Sequence, residues 1–386
     1  MDFVESDERR ALRATVSDLG RRYGYDYLVE RARRGEHMDQ MWHEAGKLGL
    51  LGVNLPEEYG GGGGGIYELS LVLEEFAATG CGLLMMVVSP AICGTIISRF
   101  GTDEQRAEWL PRLATGEAIM AFGITEPDAG SNSHRLTTTA RRTDDGGWRL
   151  SGRKVYVSGV DQADAVLVVG RTEDARTGKL KPALFVVPTD APGFEYRPIA
   201  MDLVIPDRQF ALFLDEVELP AHALVGREDA ALAQLFAGLN PERIMAAALS
   251  VGTARYALDK AARYVTERKV WDVPIGAHQG LAHPLAQVKI ELELARLMMQ
   301  KAASLYDAGD DTGAGECANM AKYAAAEVGA RAVDQAVQSL GGNGLASEYG
   351  LGTLIATSRV ARIAPVSREM ILNFVAQSSL QLPRSY

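Results

Sequence analysis

The spacing of apolar residues changes twice along this chain of 386 residues, and that change limits the possible folds. Up to about residue 117, apolar side chains recur every three or four positions, which is typical of helices. From about 118 to 226 the pattern becomes alternating or β-branched, which is typical of strands. Helical spacing then returns in longer segments. The sequence therefore predicts an α+β protein of three domains, at residues 1–117, 118–226 and 227–386.

The middle region predicts a β domain. Turn clusters such as 144–147 (DDGG) and 188–193 (PTDAPG) separate its short strand patterns, and no helical pattern comes between them. That arrangement favours an antiparallel barrel or sandwich. The strand patterns lie at residues 148–151, 154–158, 163–169, 182–187 and 210–217.

The last region predicts an antiparallel four-helix bundle. Its first helix is expected to begin at Pro241 with Asn240 as the N-cap, because proline is tolerated at the first helical position, where an N–H would have no partner. The helical patterns lie at residues 241–267, 281–306, 315–340 and 367–380.

Charge and cysteine content argue against some classes of protein. The formal net charge is −10, and runs of Lys and Arg do not extend beyond pairs such as Arg9–Arg10, so we expect no nucleic-acid surface. The three cysteines show no metal-ligand spacing, and their odd number favours a reducing, cytoplasmic compartment. The most apolar stretch, 83–97, is short for a membrane span and predicts a buried helix.

Residues 120–132 (MAFGITEPDAGSN) combine a strand with a turn of small residues. Small residues let backbone N–H groups approach a ligand, and a threonine hydroxyl can both donate and accept a hydrogen bond. Taken alone, the segment also fits an ordinary turn after a strand. Its Thr-Glu-Pro and Ala-Gly-Ser steps resemble the flavin-binding signature of acyl-CoA dehydrogenases. The resemblance implies that Phe122, Ile124 and Thr125 line the isoalloxazine of FAD and that Ser131 meets the cofactor or its phosphates.

A second segment, 152–159 (GRKVYVSG), resembles the next signature of that family, a strand whose aromatic and hydroxyl side chains rest on the flavin. Tyr156 takes the place usually held by Trp or Tyr, and Ser158 that of Thr or Ser. The resemblance implies that both contact FAD. The alternative is a plain amphipathic strand, because tyrosine and valine favour strands in any protein.

A third segment resembles the family's Arg-x-x-Phe-Gly…Gln block, in which the arginine reaches the FAD pyrophosphate of a neighbouring subunit. Arg268, Trp271 and Gln279 match it, with Trp271 where Phe is usual and Asp272 in place of glycine. A planar, always-charged guanidinium suits a pyrophosphate. Taken alone, an arginine at a helix end is more often solvated or interacts with the helix dipole.

A fourth segment, 338–344 (QSLGGNG), resembles the family's Gln-x-x-Gly-Gly-x-Gly turn. The resemblance implies that Gln338, Gly341 and Gly342 contact the adenosine diphosphate part of a partner subunit's FAD, where glycines allow left-handed backbone and close approach. As a lone feature, the turn would fit an ordinary helix C-cap.

Four signatures in this order identify the chain as a member of the acyl-CoA dehydrogenase family. Membership implies FAD as the cofactor, removal of a proton α to a thioester carbonyl, and hydride transfer from the β carbon to flavin N5. It also implies a homotetramer, an acyl-CoA or acyl-carrier-protein substrate, and an electron-transfer flavoprotein as the electron acceptor.

The sequence departs from the family at the usual catalytic base. Most members carry a glutamate near the C-terminus in an Ile-Tyr-Glu-Gly-Thr segment, and Pro365 stands at that position here. Proline supplies neither a carboxylate nor a backbone N–H, so an expected donor to the substrate carbonyl is missing as well. Pro365 is therefore expected to be a substrate-binding residue, and the substrate is expected to be an atypical one.

A minority of the family carries its base on the helix that opens the third region, and Glu242 lies there. The resemblance implies that Glu242 is the catalytic base. The alternative is a helix-start role, because the helix dipole favours a glutamate in the first turn. Arg243 beside it fits either a structural or a substrate-binding role, and Glu369 lies one helical turn beyond Pro365.

Two other functions stay open on this sequence. A flavin oxidase, hydroxylase or reductase would keep the fold and change the reaction. A non-catalytic subunit of a heteromeric acyl-CoA dehydrogenase would explain the altered 356–366 segment, although the retained Thr125 and glycine-turn motifs count against it.

Overall fold

The computed structural model of the chain describes residues 4–173, 178–228 and 231–384. Its first part is helical, as the apolar spacing predicts. The longest of these helices bends at Gly24, where a φ of 71° leaves the helical region and the absence of a Cβ makes that conformation accessible. The helices are α1 (Asp7–Arg34), α2 (Asp39–Lys47), α3 (Ile66–Ala78), α4 (Thr95–Phe100) and α5 (Asp103–Thr115).

A π-helix, Val87–Gly94, precedes α4 and is buried along its whole length. Pro90 lies inside it and cannot donate the backbone hydrogen bond of a regular α-helix, which accompanies the wider turn. The expectation of a buried helix in this apolar stretch is therefore confirmed. Within the described ranges, no helix is both long and apolar enough to cross a membrane.

The middle region forms one eight-stranded sheet in which β6, β7, β3, β2, β4, β5 and β8 lie side by side and β1 also pairs with β4. Most pairs are antiparallel, but β1 and β2 both run parallel to β4, so the sheet is not antiparallel throughout. Alternating side chains define the faces of a strand but not the direction of its neighbour. The strands are β1 (Met120–Gly123), β2 (Thr139–Arg142), β3 (Trp148–Ser158), β4 (Ala165–Glu173), β5 (Leu180–Pro188), β6 (Phe194–Ile199), β7 (Gln209–Leu219) and β8 (Leu224–Val225).

The two strand patterns predicted at 148–151 and 154–158 form the single strand β3, whose pairing with β7 is shifted in two places. The second shift lies between Lys154 and Val157, and it contains Tyr156 with a φ of 56°. A bulky residue in left-handed backbone is a genuine outlier, and bulges occur preferentially beside functional sites. The irregularity turns the Tyr156 side chain outward.

In the part that the structure describes, the last region is a helical bundle of three long helices followed by two short ones. The inner face of α8 is rich in alanine, and Ala318, Ala325 and Ala332 are at most 1% exposed, which allows close approach to α6 and α7. A two-stranded hairpin, β9 (Lys269–Val270) with β10 (Val273–Pro274), links α6 to α7. The helices are α6 (Ala231–Glu267), α7 (Gln279–Asp307), α8 (Asp311–Leu340), α9 (Leu354–Ile363) and α10 (Arg368–Phe374).

The predicted start of the first bundle helix is wrong. Pro241 lies inside α6, ten residues after its first residue, and Asn240 is a helical residue rather than an N-cap. Because Pro241 has no N–H, the carbonyl of Ala237 lacks its usual partner within the helix. The hydroxyl of Tyr306 in α7 donates to that carbonyl instead, at 2.6 Å. A tertiary hydrogen bond therefore satisfies the carbonyl that Pro241 leaves without a partner, and the helix continues past the proline.

Candidate active site

Glu242 lies in the interior of α6, so it is not a first-turn residue and the helix-start alternative is wrong. Burial raises the pKa of its carboxyl to about 7, while the nearby positive charges of Arg243 and Lys322 act in the opposite direction. No hydrogen bond or ion pair joins this carboxylate to any residue that the structure describes. The side chain is half-buried. A carboxylate with these properties is suited to act as a general base near neutral pH.

Arg243 is buried beside it, and Nη1 donates to Oδ1 of Asn240 at 3.0 Å. Burial lowers the pKa of the guanidinium, although the charge of Glu242 opposes that effect. The guanidinium also lies 5.9 Å from the ring centroid of Phe236. These contacts hold the side chain along α6, and its proposed contact with substrate remains a prediction.

Pro365 lies in the turn between α9 and α10, and the structure brings that turn close to Glu242 through Lys322 of α8. The Nζ of Lys322 donates to the backbone carbonyl of Val366, and the side chain is 1% exposed. Sequence reasoning missed this residue. The sequence does carry a signal for it. Lys322 lies on the same face of α8 as the buried alanines Ala318, Ala321 and Ala325, so a helix that buries this face also buries the lysine.

Glu369, the other carboxylate near this turn, has a different environment. It lies in the first turn of α10, its side chain is 69% exposed, and it pairs with Nε of Arg368 at 3.2 Å. The Glu369 carboxylate is thus solvent-exposed and ion-paired, whereas that of Glu242 is half-buried and unpartnered among the described residues.

The π-helix connects the Glu242 region to the sheet. Sγ of Cys93 donates to the carbonyl of Ala121 in β1 at 3.5 Å. Burial, and then the negative charge of Glu242, raise the pKa of the same thiol. Cys93 therefore lies between Glu242 and the strand that carries Phe122, and the structure brings the predicted base near the predicted flavin-binding strand.

The turn after β1 is held by a buried ion pair. Lys154 Nζ lies 2.9 Å from Glu126 Oε1 and donates to the carbonyl of Ile124 at 3.1 Å. The backbone N–H of Val155 donates to the carbonyl of Thr125 at 2.9 Å, which joins the turn directly to β3. Ile124 and Thr125 stay partly exposed, so this framework presents them at the surface of the sheet.

The remaining residues of the two middle motifs lie at the surface of the β domain. Tyr156 is 60% exposed, and Ser131 is exposed in the turn after β1. Ser158 exchanges hydrogen bonds with Gln209 of β7. Phe122, by contrast, is 8% exposed within β1. The structure thus groups the two middle motifs on neighbouring strands, and their contact with FAD remains a prediction.

The two C-terminal motifs lie together at one end of the bundle. Asn343 Nδ2 donates to the hydroxyl of Tyr264 at 3.0 Å, and the carbonyl of Tyr264 accepts from the N–H of Arg268 at 2.9 Å. These bonds connect the glycine turn to the end of α6. Trp271, 84% exposed, lies on the adjoining hairpin. Asp272, which replaces a glycine, adopts a φ of 65°, so the left-handed backbone is kept without glycine.

This end of the bundle fits the phosphates of a dinucleotide. A Cβ added to Gly341 or Gly342 would meet no described atom within 4 Å, so a ligand can approach the backbone closely. The exposed guanidinium of Arg268 has no hydrogen-bond partner among the described residues, and Gln338 and Gln279 are also exposed there. Free N–H donors beside open glycines are the donor set that a pyrophosphate needs.

A helical domain, a β domain and a helical bundle that carry these motifs in this order define an FAD-dependent acyl-CoA dehydrogenase. Family models describe three parts of the chain: the acyl-CoA dehydrogenase N-terminal domain at residues 6–117, the middle domain at 121–215 and the C-terminal domain at 232–380. The chain belongs to the acyl-CoA dehydrogenase family. It is 68% identical over 384 residues to the Mycobacterium tuberculosis protein named acyl-CoA dehydrogenase FadE12, with 100% of this chain and 99% of that protein covered.

Solved structures share the whole fold. The glutaryl-coenzyme A dehydrogenase in complex with glutaryl-CoA superposes with a TM-score of 0.94 at 29% identity, covering 99% of this chain and 98% of that one. Butyryl-CoA dehydrogenase from Megasphaera elsdenii gives a TM-score of 0.92 at 28% identity, covering 98% and 100%.

Proposed function

We propose that this chain is an acyl-thioester dehydrogenase in which Glu242 is the catalytic base. The observation that carries the proposal is the unpartnered carboxylate of Glu242 inside α6, whose pKa of about 7 lets it accept a proton at neutral pH. Cys93 contacts β1, the strand of the first flavin motif, and its thiol is also close enough to Glu242 to be affected by the charge of that carboxylate.

In the proposed reaction, the Glu242 carboxylate takes the proton from the carbon α to the thioester carbonyl. FAD, when bound, would supply the acceptor for the hydride that leaves the β carbon. The two losses leave a double bond between the α and β carbons, so the acyl group is oxidised by two electrons. Phe122, Ile124, Thr125, Tyr156 and Ser158 would hold the flavin against the sheet, and Ser131 would meet the cofactor at the turn.

The thioester carbonyl must be hydrogen-bonded for its α proton to become acidic. Pro365 has no N–H for this purpose, which distinguishes the chain from most of its family. Arg243 supports substrate binding through its cationic N–H groups near Glu242. We propose that the acyl group is an atypical one, carried by coenzyme A or by a carrier protein.

Exposed apolar side chains support the proposed homotetramer. Ile290 and Leu294 of α7 are each 62% exposed, one helical turn apart, and Trp271 is exposed beside the proposed pyrophosphate site. In a tetramer, Arg268, Gln279, Gln338, Gly341 and Gly342 would bind the FAD of a neighbouring subunit. Electrons would then pass to an electron-transfer flavoprotein.

The test is anaerobic mixing of the flavin-loaded protein with a panel of acyl-CoA and acyl-carrier-protein thioesters, followed by flavin absorbance. We expect one substrate class to bleach the flavin. Glu242→Gln should slow bleaching by about 100- to 10,000-fold, the usual contribution of a general base. Glu369→Gln is the matched control, because it removes the exposed carboxylate near Pro365, and it should bleach at the wild-type rate.

Other outcomes would replace the proposal. Wild-type bleaching rates in Glu242→Gln would show that Glu242 is not the base. Oxygen consumption without an added acceptor would favour a flavin oxidase or hydroxylase. A flavin that no thioester reduces would favour a reductase, and a chain that purifies without flavin would favour a non-catalytic subunit.

A further inference from the structure

Among the residues that the structure describes, two lysines are fully buried, and their surroundings differ. Lys154 is 0% exposed and has the carboxylate of Glu126 at 2.9 Å. Lys322 is 1% exposed and, within the described part of the chain, has no carboxylate within 4.0 Å. Its Nζ donates to the backbone carbonyl of Val366. A buried ammonium without an ion-pair partner is costly, so its retention requires an interaction that offsets the cost.

The nearest carboxylate on α8 is not available to Lys322. Glu327 is held by two arginines from the C-terminal helices, with Nε of Arg362 at 2.8 Å and Nη1 of Arg368 at 3.3 Å. These two ion pairs neutralise Glu327 and fasten α9 and α10 to α8. Glu327 is therefore not free to pair with Lys322, whose positive charge acts on Glu242 of α6, the helix packed against α8.

The charged groups around Glu242 and Lys322 belong to several elements. Those that act on the pKa of Glu242 are Arg243 on its own helix and Lys322 on α8, with the thiol of Cys93 facing it from the π-helix. Those that act on the pKa of Lys322 are Arg243 and Glu242 on α6, Glu369 on α10 and Glu327 on α8. After burial, which lowers the pKa of Lys322 to about 8, Arg243 is the largest influence.

We propose that Lys322 is a positioning residue for the base. Its Nζ donates to the carbonyl of Val366, next to Pro365, and its buried positive charge acts on Glu242. Its hydrogen bond holds the turn that contains Pro365 against α8. Its ammonium favours the ionised form of the Glu242 carboxylate, in opposition to the effect of burial. The turn that lacks the usual catalytic glutamate would thus still act on the reaction. This inference rests on the proposed function, in which Glu242 takes the α proton.

The test is the pH dependence of kcat/KM in Lys322→Met. Proton abstraction needs ionised Glu242, so kcat/KM should rise with pH through the pKa of that carboxyl. Removing a nearby cation raises the pKa of a carboxyl, so the rising limb should move up by about one pH unit. Below the limb, kcat/KM should therefore fall about tenfold. Lys322→Arg keeps the charge and should keep the wild-type limb.

A second readout does not depend on turnover. Infrared difference spectra can follow the band of the protonated Glu242 carboxyl, identified by its absence in Glu242→Gln. Its titration midpoint should move up in Lys322→Met by the same amount as the kinetic limb. Lys322→Gln, which keeps a hydrogen-bond donor, replaces Lys322→Met if the methionine variant does not fold. Lys289→Met removes an exposed lysine of α7 and should change neither readout.

The outcomes separate the two proposals. An even loss of activity at all pH values in Lys322→Met, with an unmoved infrared midpoint, would mean a purely structural lysine and would overturn this inference while leaving Glu242 as the base. An equal shift in Lys322→Arg would also overturn it, because the charge would then be irrelevant. A full rate with Glu242→Gln would overturn the base assignment and this inference together.

Discussion

Replacing Lys154 by methionine would leave the Glu126 carboxylate buried without its cation. Glu126 is 4% exposed, and its oxygens accept hydrogen bonds from Lys154, from the N–H and hydroxyl of Thr137, and from the N–H of Thr138. Lys154 also donates to the carbonyl of Ile124. The substitution therefore tests both the stability of the β domain and the order of the turn proposed to bind flavin.

The magnitude follows from the two pKa values. Although burial acts to raise it, hydrogen bonds from Thr138 and the charge of Lys154 lower the pKa of Glu126 from 4.5 to about 2. At 1.36 kcal/mol per pH unit, this corresponds to about 3 kcal/mol in favour of the carboxylate. Burial lowers the pKa of Lys154 from 10.5 to about 8, so a similar free energy disfavours the charged form of this lysine. Desolvation offsets much of the attraction in a buried ion pair, so the pair adds little net stability, yet losing one partner should cost about 3 kcal/mol.

The assay is urea unfolding of wild type, Lys154→Met, Glu126→Gln and the double variant. We expect the double variant to lose less free energy of unfolding than the sum of the two single changes, because the partners are coupled. Arg149→Met is the control on the same strand, because its pair with Glu218 is exposed and exposed ion pairs contribute little to stability. FAD affinity, measured by fluorescence, should fall at least about tenfold in Lys154→Met, a loss of about 1.4 kcal/mol.

The pH dependence of unfolding gives an independent check. Glu126 has a lowered pKa in the folded state, so its contribution is present above pH 4.5 and is lost as the pH falls towards 2. The Glu126→Gln variant should lack this acid-dependent loss. A Lys154→Met variant within about 1 kcal/mol of wild type, or additive single changes, would refute the reasoning, because the buried charge would then tolerate the absence of its partner.

Two further predictions concern stability. Tyr306→Phe should cost about 1–3 kcal/mol in urea unfolding by leaving the carbonyl of Ala237 unpaired, and Pro241→Ala, which restores a helical N–H, should reduce that cost; an equal cost in both backgrounds would contradict this account. His37 has its pKa raised, first by the hydrogen bond to Asp161, so its contribution is present below pH 6.5 and is lost as the pH rises through the folded-state value. Thermal unfolding of His37→Gln across pH 5 to 8 should lack this loss, and an unchanged pH profile would refute it.

The division of the chain into helical, β and helical parts was accessible from the sequence, because secondary-structure period depends on residues close together along the chain. The same holds for membership of the family, since its motifs are short and keep their order. The exclusion of Pro365 as a base came from its residue type, because proline carries no group that accepts a proton, and the choice of Glu242 came from the family resemblance.

The tertiary structure decided what depends on residues far apart in sequence. The local signal at Pro241 indicates a helix start, but a hydroxyl from another helix supplies the missing partner and α6 begins ten residues earlier. The parallel pairing of β1 and β4 likewise depends on how distant segments cross. Burial of Glu242 and Lys322 follows from helix packing, and burial shifts their pKa values. The sequence determined which ionisable groups are present, and the packing determined their pKa values.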